Sequence, residues 1–190
     1  MQHLSDKSLT FVTGGAASGK SSFAERMTRV NGKPKTYIAT LQPFDDEMQA
    51  KTVKHQLDRG TDWTTIEVPI EVGDVLAKLG AGDVVLLDCV TLWLTNVIIS
   101  EMDADAACEE LVNALLTCAC DVVVVSNEVG MGIVPDNALS RKFRNMQGKI
   151  NQMIAARADT VVTVISGIPL VLKGSSDLVP ATHAFPAGKV

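Results

Sequence analysis

The sequence predicts an α/β fold, a mainly parallel sheet with helices on both faces, built as one domain. Three observations carry this. Runs such as Val84-Val85-Leu86-Leu87 and Val122-Val123-Val124-Val125 are apolar throughout, as strands buried on both faces must be. Longer segments of helical period separate them, the alternation that builds parallel sheets. With 190 residues, 46% hydrophobic and 21% charged, the chain has ordinary globular composition and the length of roughly one domain.

Strands are predicted at 9–13, 36–40, 64–68, 84–88, 122–126 and 161–166, each β-branched or apolar and bounded by polar or turn residues. Helices are predicted at 20–30, 46–58, 72–79, 90–100, 104–119 and 136–158. In the last, Leu139, Phe143, Met146, Ile150, Met153 and Ile154 recur at spacings of three and four and share one face, with Pro135 and Asp136 marking its start. Residues 1–173 form the domain. Residues 174–190, with GSSD, two prolines and no apolar period, read as a flexible tail.

Several function classes are excluded by composition. No apolar run approaches the ~20 residues of a membrane span, and the N-terminus lacks the apolar core of a secretory signal, so a cytoplasmic protein is expected. A net charge of -5, with no Lys/Arg cluster longer than two, argues against a nucleic-acid surface. Cys89, Cys108, Cys118 and Cys120 have no histidine at zinc spacing and read as reduced, partly buried thiols.

The chemistry begins at Gly14-Gly15-Ala16-Ala17-Ser18-Gly19-Lys20-Ser21, which fits G-x-x-x-x-G-K-[ST] directly after a strand and before a helix. Such a loop wraps its N–H groups around phosphate oxygens at the positive end of the helix, defining a P-loop NTPase-like domain. Lys20 is expected to reach the β/γ phosphates and Ser21 to ligate Mg²⁺. Asp88 closes a buried strand at the edge where such sheets bind ligands, which suits it to organise Mg²⁺. An Asp there also fits a plain helix cap.

Residues 45–59 open with Asp45-Asp46-Glu47 and close with Arg59, the polarity of a helix, on which Lys51, His55 and Arg59 share one face. Neighbouring cations favour neutral imidazole, the nucleophilic form, beside groups that neutralise phosphate. On residue types alone, a solvated face with an incidental histidine is the plainer reading. Arg141, Lys142 and Arg144 fit a phosphate or subunit contact and a solvated face equally.

Five stretches together change that weighting: Thr13-Gly14-Gly15-x-x-Ser18-Gly19-Lys20-Ser21; Tyr37-Ile38-Ala39-Thr40; Asp45-Asp46-Glu47-Met48 with His55 following; Leu86-Leu87-Asp88-Cys89; and the run from Ser126-Asn127-Glu128 through Gly130-Met131-Gly132 to Pro135. From about Leu9 to Lys173 the chain resembles the bifunctional adenosylcobinamide kinase/adenosylcobinamide-phosphate guanylyltransferase family of cobalamin biosynthesis. The resemblance implies phosphorylation of adenosylcobinamide with ATP or GTP, then GMP transfer from GTP onto that phosphate through a guanylyl-histidine, which falls on His55. It implies nucleotide contacts at Thr13, Gly14, Gly15, Ala16, Ala17, Ser18, Gly19, Lys20 and Ser21, at Ala39, Thr40 and Leu41, at Gln56, Leu57, Asp58 and Arg59, and at Glu67 and Asp88. A homotrimer is the family's usual assembly.

Two departures stand out. Ala17 occupies a loop position commonly held by Arg, and Arg59-Gly60 replaces the usual Arg-Pro. The first bears on the kinase step. The 127–135 loop is expected to border the site, with Glu128 near the metal or the corrinoid. The competing readings are a plain small-molecule kinase, which forms no covalent GMP, and a nucleotide-controlled switch, which does not convert cobinamide stoichiometrically.

Overall fold

A computed structural model describes residues 7–30, 32–41 and 62–175. In chain order these form β1 (Leu9–Gly14), α1 (Lys20–Val30), β2 (Lys35–Ala39), β3 (Trp63–Glu67), α2 (Val72–Leu76), β4 (Val84–Asp88), α3 (Val90–Ile99), α4 (Ala104–Thr117), β5 (Asp121–Asn127), α5 (Ala138–Arg157), β6 (Thr160–Ile165) and β7 (Ile168–Lys173). The helix expected at 46–58 and the tail from 176 onward lie outside the described residues.

The seven strands make one sheet in the order β3-β2-β4-β5-β1-β6-β7. Every pairing is parallel except β6 with β7. Alternation along the strands divides the core in two. Leu9, Phe11, Val85, Leu87, Val122 and Val124 pack against α2 to α5, through Leu76, Trp93, Leu111 and Ile150. Val12, Tyr37, Leu86, Val123, Val125 and Val164 face α1, through Phe23 and Ala24. Period-2 burial with both faces covered is what the continuous valine runs require. Among the described residues, no helix is long and apolar enough to cross a membrane.

The antiparallel strand β7 is a correction to the expected six strands. Ser166 and Gly167 form a two-residue turn with positive φ at both positions, 51° and 81°. That is the conformation that matches the twist of the strands it joins. A Ser-Gly pair between β-branched runs was the signal; Pro169 and the unbroken apolar run after it obscured the alternation.

The start of α5 is a second correction. The helix begins two residues later than the proline suggests, capped by Asn137, whose side chain accepts from the Ser140 N–H at 2.8 Å. Such a cap stabilises a helix by about 1 kcal/mol. Leu139, predicted to share a face with Ile150 and Ile154, is 63% exposed in the first turn of α5, whereas Ile150 and Ile154 are buried. All four cysteines are free thiols and all are buried.

The β6–β7 turn leads to a direct expectation. Replacing Gly167 by Val puts a β-branched residue at φ 81° and is expected to cost about 1–3 kcal/mol. Thermal unfolding should show this as a drop of several degrees in Tm, and nucleotide affinity should fall with it, because the Gly167 N–H donates to Ser18 O at 2.8 Å.

Candidate nucleotide site

Strand register brings the sequence motifs to one sheet edge. Gly14 at the end of β1 pairs with Asn127 of β5. Asp88 at the end of β4 pairs with Val125 of β5 on one side and with Ala39 of β2 on the other. Ala39 in turn pairs with Glu67, so the ends of five strands converge where open α/β sheets bind ligands.

The phosphate loop is held from both sides. Glu128 N–H donates to Gly14 O at 2.9 Å from the β5 side, and Gly167 N–H to Ser18 O from the hairpin side. A Cβ at Gly14 would lie 2.4 Å from Val164 O, so only glycine fits there. At Gly19, φ is 92° and a Cβ would meet the Gly167 Cα at 3.3 Å, so a side chain there is strained and crowds the hairpin. Ala17 adopts φ 55°, a left-handed conformation that non-glycine residues rarely take.

Lys20 opens α1, is buried, and donates to Gly15 O at 3.0 Å. Burial pushes its pKa below the ordinary lysine value, partly opposed by the negative field of Asp88. A cavity of about 240 Å³ is lined by Ala17, Gly19, Lys20, Ser21 and Ser22. The Ser18 and Thr13 hydroxyls are buried without a hydrogen-bond partner, and an unpaired buried hydroxyl is costly until something polar reaches it.

Asp88 does not cap α3. The N-cap position is Cys89, which makes no side-chain cap. The Asp88 carboxylate instead receives the Tyr37 hydroxyl at Oδ2, 3.2 Å away. Thr40 is fully buried, and its hydroxyl accepts from Cys89 N–H at 3.0 Å and donates to Cys89 O at 2.7 Å. Its carbonyl accepts from the buried Asn96 side chain at 2.8 Å. Burial and the adjacent Asp88 charge push the Cys89 thiol up to about 11, which keeps it protonated.

The loop leaving β5 starts from a buried polar cluster. Gln147 Nε2 donates to Ser126 Oγ at 2.8 Å and to Asn151 Oδ1 at 2.9 Å, and Asn151 Nδ2 donates to Asn127 O at 3.0 Å. Thr91 Oγ1 accepts from Asn127 N–H at 2.8 Å. None of these residues was singled out as a holder of the strand end. A serine and an asparagine ending a valine run were the available hint. Glu128 Oε1 closes its own loop by accepting from Gly130 N–H at 2.9 Å. Arg141 donates to Pro135 O and Asp136 O at 3.0 and 2.7 Å, so it secures the far end of the loop.

The structure thus places Thr13 to Ser21, Ala39, Thr40, Leu41, Glu67 and Asp88 along one edge. His55 and Gln56, Leu57, Asp58 and Arg59 lie outside the described residues.

Sheet order and loop together define a P-loop NTPase-like protein, a fold shared with a type III secretion ATPase of pathogenic bacteria. That structure is 9% identical, with a TM-score of 0.52 over 90% of this chain and 60% of the other. A protein from Pyrococcus horikoshii has a TM-score of 0.53 at 7% identity over 96% and 94% of the two chains. The sequence profile described as cobinamide kinase / cobinamide phosphate guanyltransferase matches residues 10–172, and the chain belongs to that family. Similar curated proteins are the bifunctional adenosylcobalamin biosynthesis proteins CobP of Pseudomonas aeruginosa, 38% identical over 86% of this chain and 96% of the relative, and CobU of Salmonella typhimurium, 39% identical over 87% and 99%.

A pH dependence follows from the buried lysine. Phosphate binding needs the ammonium form, and burial lowers the pH at which it is lost. Affinity for a non-hydrolysable GTP analogue, followed by calorimetry from about pH 7 to 10, is expected to decline below the ordinary lysine pKa. In Lys20→Arg, whose guanidinium stays charged, that alkaline decline should disappear even if affinity is lower throughout.

Proposed function

We propose that this chain is a bifunctional enzyme of cobalamin biosynthesis. It phosphorylates the aminopropanol hydroxyl of adenosylcobinamide with ATP or GTP, then transfers GMP from GTP onto that phosphate with release of pyrophosphate. The observation that carries this reading is the buried Lys20 set against Asp88 in a glycine-shaped loop, in a chain matched by the family over residues 10–172.

In this reading the N–H groups of Gly15 to Ser21 hold the β and γ phosphates, and Lys20 leaves Gly15 O to neutralise them. The unpaired Ser18 hydroxyl finds its partner on the nucleotide. Mg²⁺ fits the oxygen donors present, since it takes one or two protein oxygens alongside phosphates and waters, here Ser21 and Asp88. When bound, it would neutralise charge on the transferring phosphate. Ala39, Leu41 and Glu67 extend the nucleotide surface along the strand ends; Thr40 supports it from beneath, fully buried with its hydroxyl paired to Cys89 and its backbone to Asp88 and Asn96.

His55 is assigned as the guanylyl acceptor, with Lys51 and Arg59 as flanking cations and Gln56 to Arg59 as nucleotide contacts. Its imidazole attacks the α-phosphorus of GTP and pyrophosphate leaves. Adenosylcobinamide phosphate then attacks the same phosphorus and frees the imidazole. The corrinoid is a large substrate with apolar edges. Met131 and Ile133, 91% and 96% exposed on the loop that leaves β5 beside Gly14, supply apolar surface for it. The family resemblance further supports a homotrimer in the cytoplasm, and the trimer is read directly by light scattering.

Two measurements test this. Incubation with Mg²⁺ and α-labelled GTP should leave an acid-labile, base-stable label on the denatured protein that is absent in His55→Ala; an unlabelled wild-type protein that also releases no pyrophosphate would remove the transferase. Replacing Met131 and Ile133 together by Ser should raise the KM for adenosylcobinamide about tenfold while leaving that for GTP unchanged.

A further inference from the structure

Tyr37 is the chain's only tyrosine, and neither proposed transfer uses it. Its ring lies in the apolar layer beneath α1 with Ala39, Leu86 and Trp63, and meets Trp63 edge-on at 6.2 Å and 79°. Phenylalanine would fill that place equally well. The hydroxyl needs another explanation, because a buried hydroxyl gives up water and must recover a partner.

Register supplies the partner. Tyr37 pairs with Leu86, and Asp88 lies two residues further along β4 on the same face. A phenol spans that diagonal, and its hydroxyl donates to Asp88 Oδ2 at 3.2 Å. Asp88 also acts electrostatically on Lys20. The carboxylate therefore accepts from a neutral donor on β2 while its charge acts on the Lys20 ammonium. Behind Tyr37 the arrangement continues through Trp63, over which the Arg29 guanidinium stacks at 5.6 Å. The ring is thus held in place from the side away from the nucleotide.

We propose that Tyr37 is a positioning residue for the kinase and guanylyl-transfer site. Its hydrogen bond fixes the plane of the Asp88 carboxylate and shares its charge with Lys20, so that Asp88 is ready for a divalent cation and Lys20 for phosphate. The inference rests on the assignment of Asp88 to Mg²⁺ made above. Without the phenol hydroxyl, the carboxylate turns toward the lysine, and each group answers the other's charge instead of the ligand's.

The test is metal binding rather than turnover. Free Mn²⁺ measured by electron paramagnetic resonance, in the presence of a non-hydrolysable GTP analogue, gives the affinity of the wild-type protein, Tyr37→Phe, Asp88→Asn and the double variant. Tyr37→Phe is expected to weaken Mn²⁺ binding about three- to tenfold with Tm unchanged, and to have no further effect when Asp88 is already Asn. Growth on 3-fluorotyrosine labels this one position and keeps the hydroxyl. Its fluorine resonance should shift when Mg²⁺ and the analogue are added, and stay fixed in Asp88→Asn.

Wild-type Mn²⁺ affinity in Tyr37→Phe, additive effects of the two substitutions, or an unmoved fluorine resonance each overturn the proposal. If Asp88→Asn weakens binding and Tyr37→Phe does not, only the role of Tyr37 falls. If Asp88→Asn itself binds Mn²⁺ normally, the metal assignment falls and takes this one with it.

Discussion

The close approach of the phosphate loop to the β6–β7 hairpin is the constraint on which the site depends. Gly14 has no room for a Cβ against Val164 O, and Gly19 has little against Gly167. With Glu128 N–H on Gly14 O and Gly167 N–H on Ser18 O, the loop is fixed from both sides before any phosphate arrives. A cradle of backbone donors works only if those donors already point inward, since ordering them on binding would consume much of the affinity they provide. The hairpin therefore belongs to the site, although it carries no chemistry.

That rigidity is accompanied by local strain and desolvation. Ala17 and Ser166 sit at positive φ without being glycine, and Lys20 is buried at the cost of its preferred ionisation. The Ser18 and Thr13 hydroxyls lack partners. The two backbone conformations are set by the turns that hold them, whereas the burial of Lys20 and the unpaired Ser18 hydroxyl are costs that a bound anion with acceptor oxygens would offset. Functional sites are where such features gather.

The phosphate loop was legible because its chemistry is local: glycines, lysine and serine lie consecutively, and the flanking strand and helix are read from the same short stretch. Asp88 was legible for a similar reason, as the polar end of a buried strand. What stayed hidden depends on contacts between distant segments. The partner of Asp88 comes from a strand 51 positions earlier, and the residues holding Asn127 come from α5 and α3. The hairpin strand was missed because Ile168-Pro169-Leu170-Val171-Leu172 reads as unpatterned apolar sequence, and only pairing with β6 separates Pro169 and Val171 from the exposed Ile168, Leu170 and Leu172. Leu139 misled because helical period locates a face but not how far along the helix that face is covered.

The polar cluster of Ser126, Gln147 and Asn151 shows why a core so near the site is not entirely apolar. Gln147 is fully buried and its Oε1 has no partner, an expense that valine or leucine would avoid. An apolar side chain, however, packs without direction, whereas Asn151 fixes one carbonyl, that of Asn127, at 3.0 Å. Thr91 fixes the N–H of the same residue from the helix that follows Asp88. One peptide step is thereby tied to α5, to α3 and, through Glu128, to Gly14. Phosphate loop, the helix that follows the acidic strand end and the loop leaving β5 then share one reference point, so displacing any of them strains the other two. A fixed point of this kind is what directional polar groups supply and an apolar core does not.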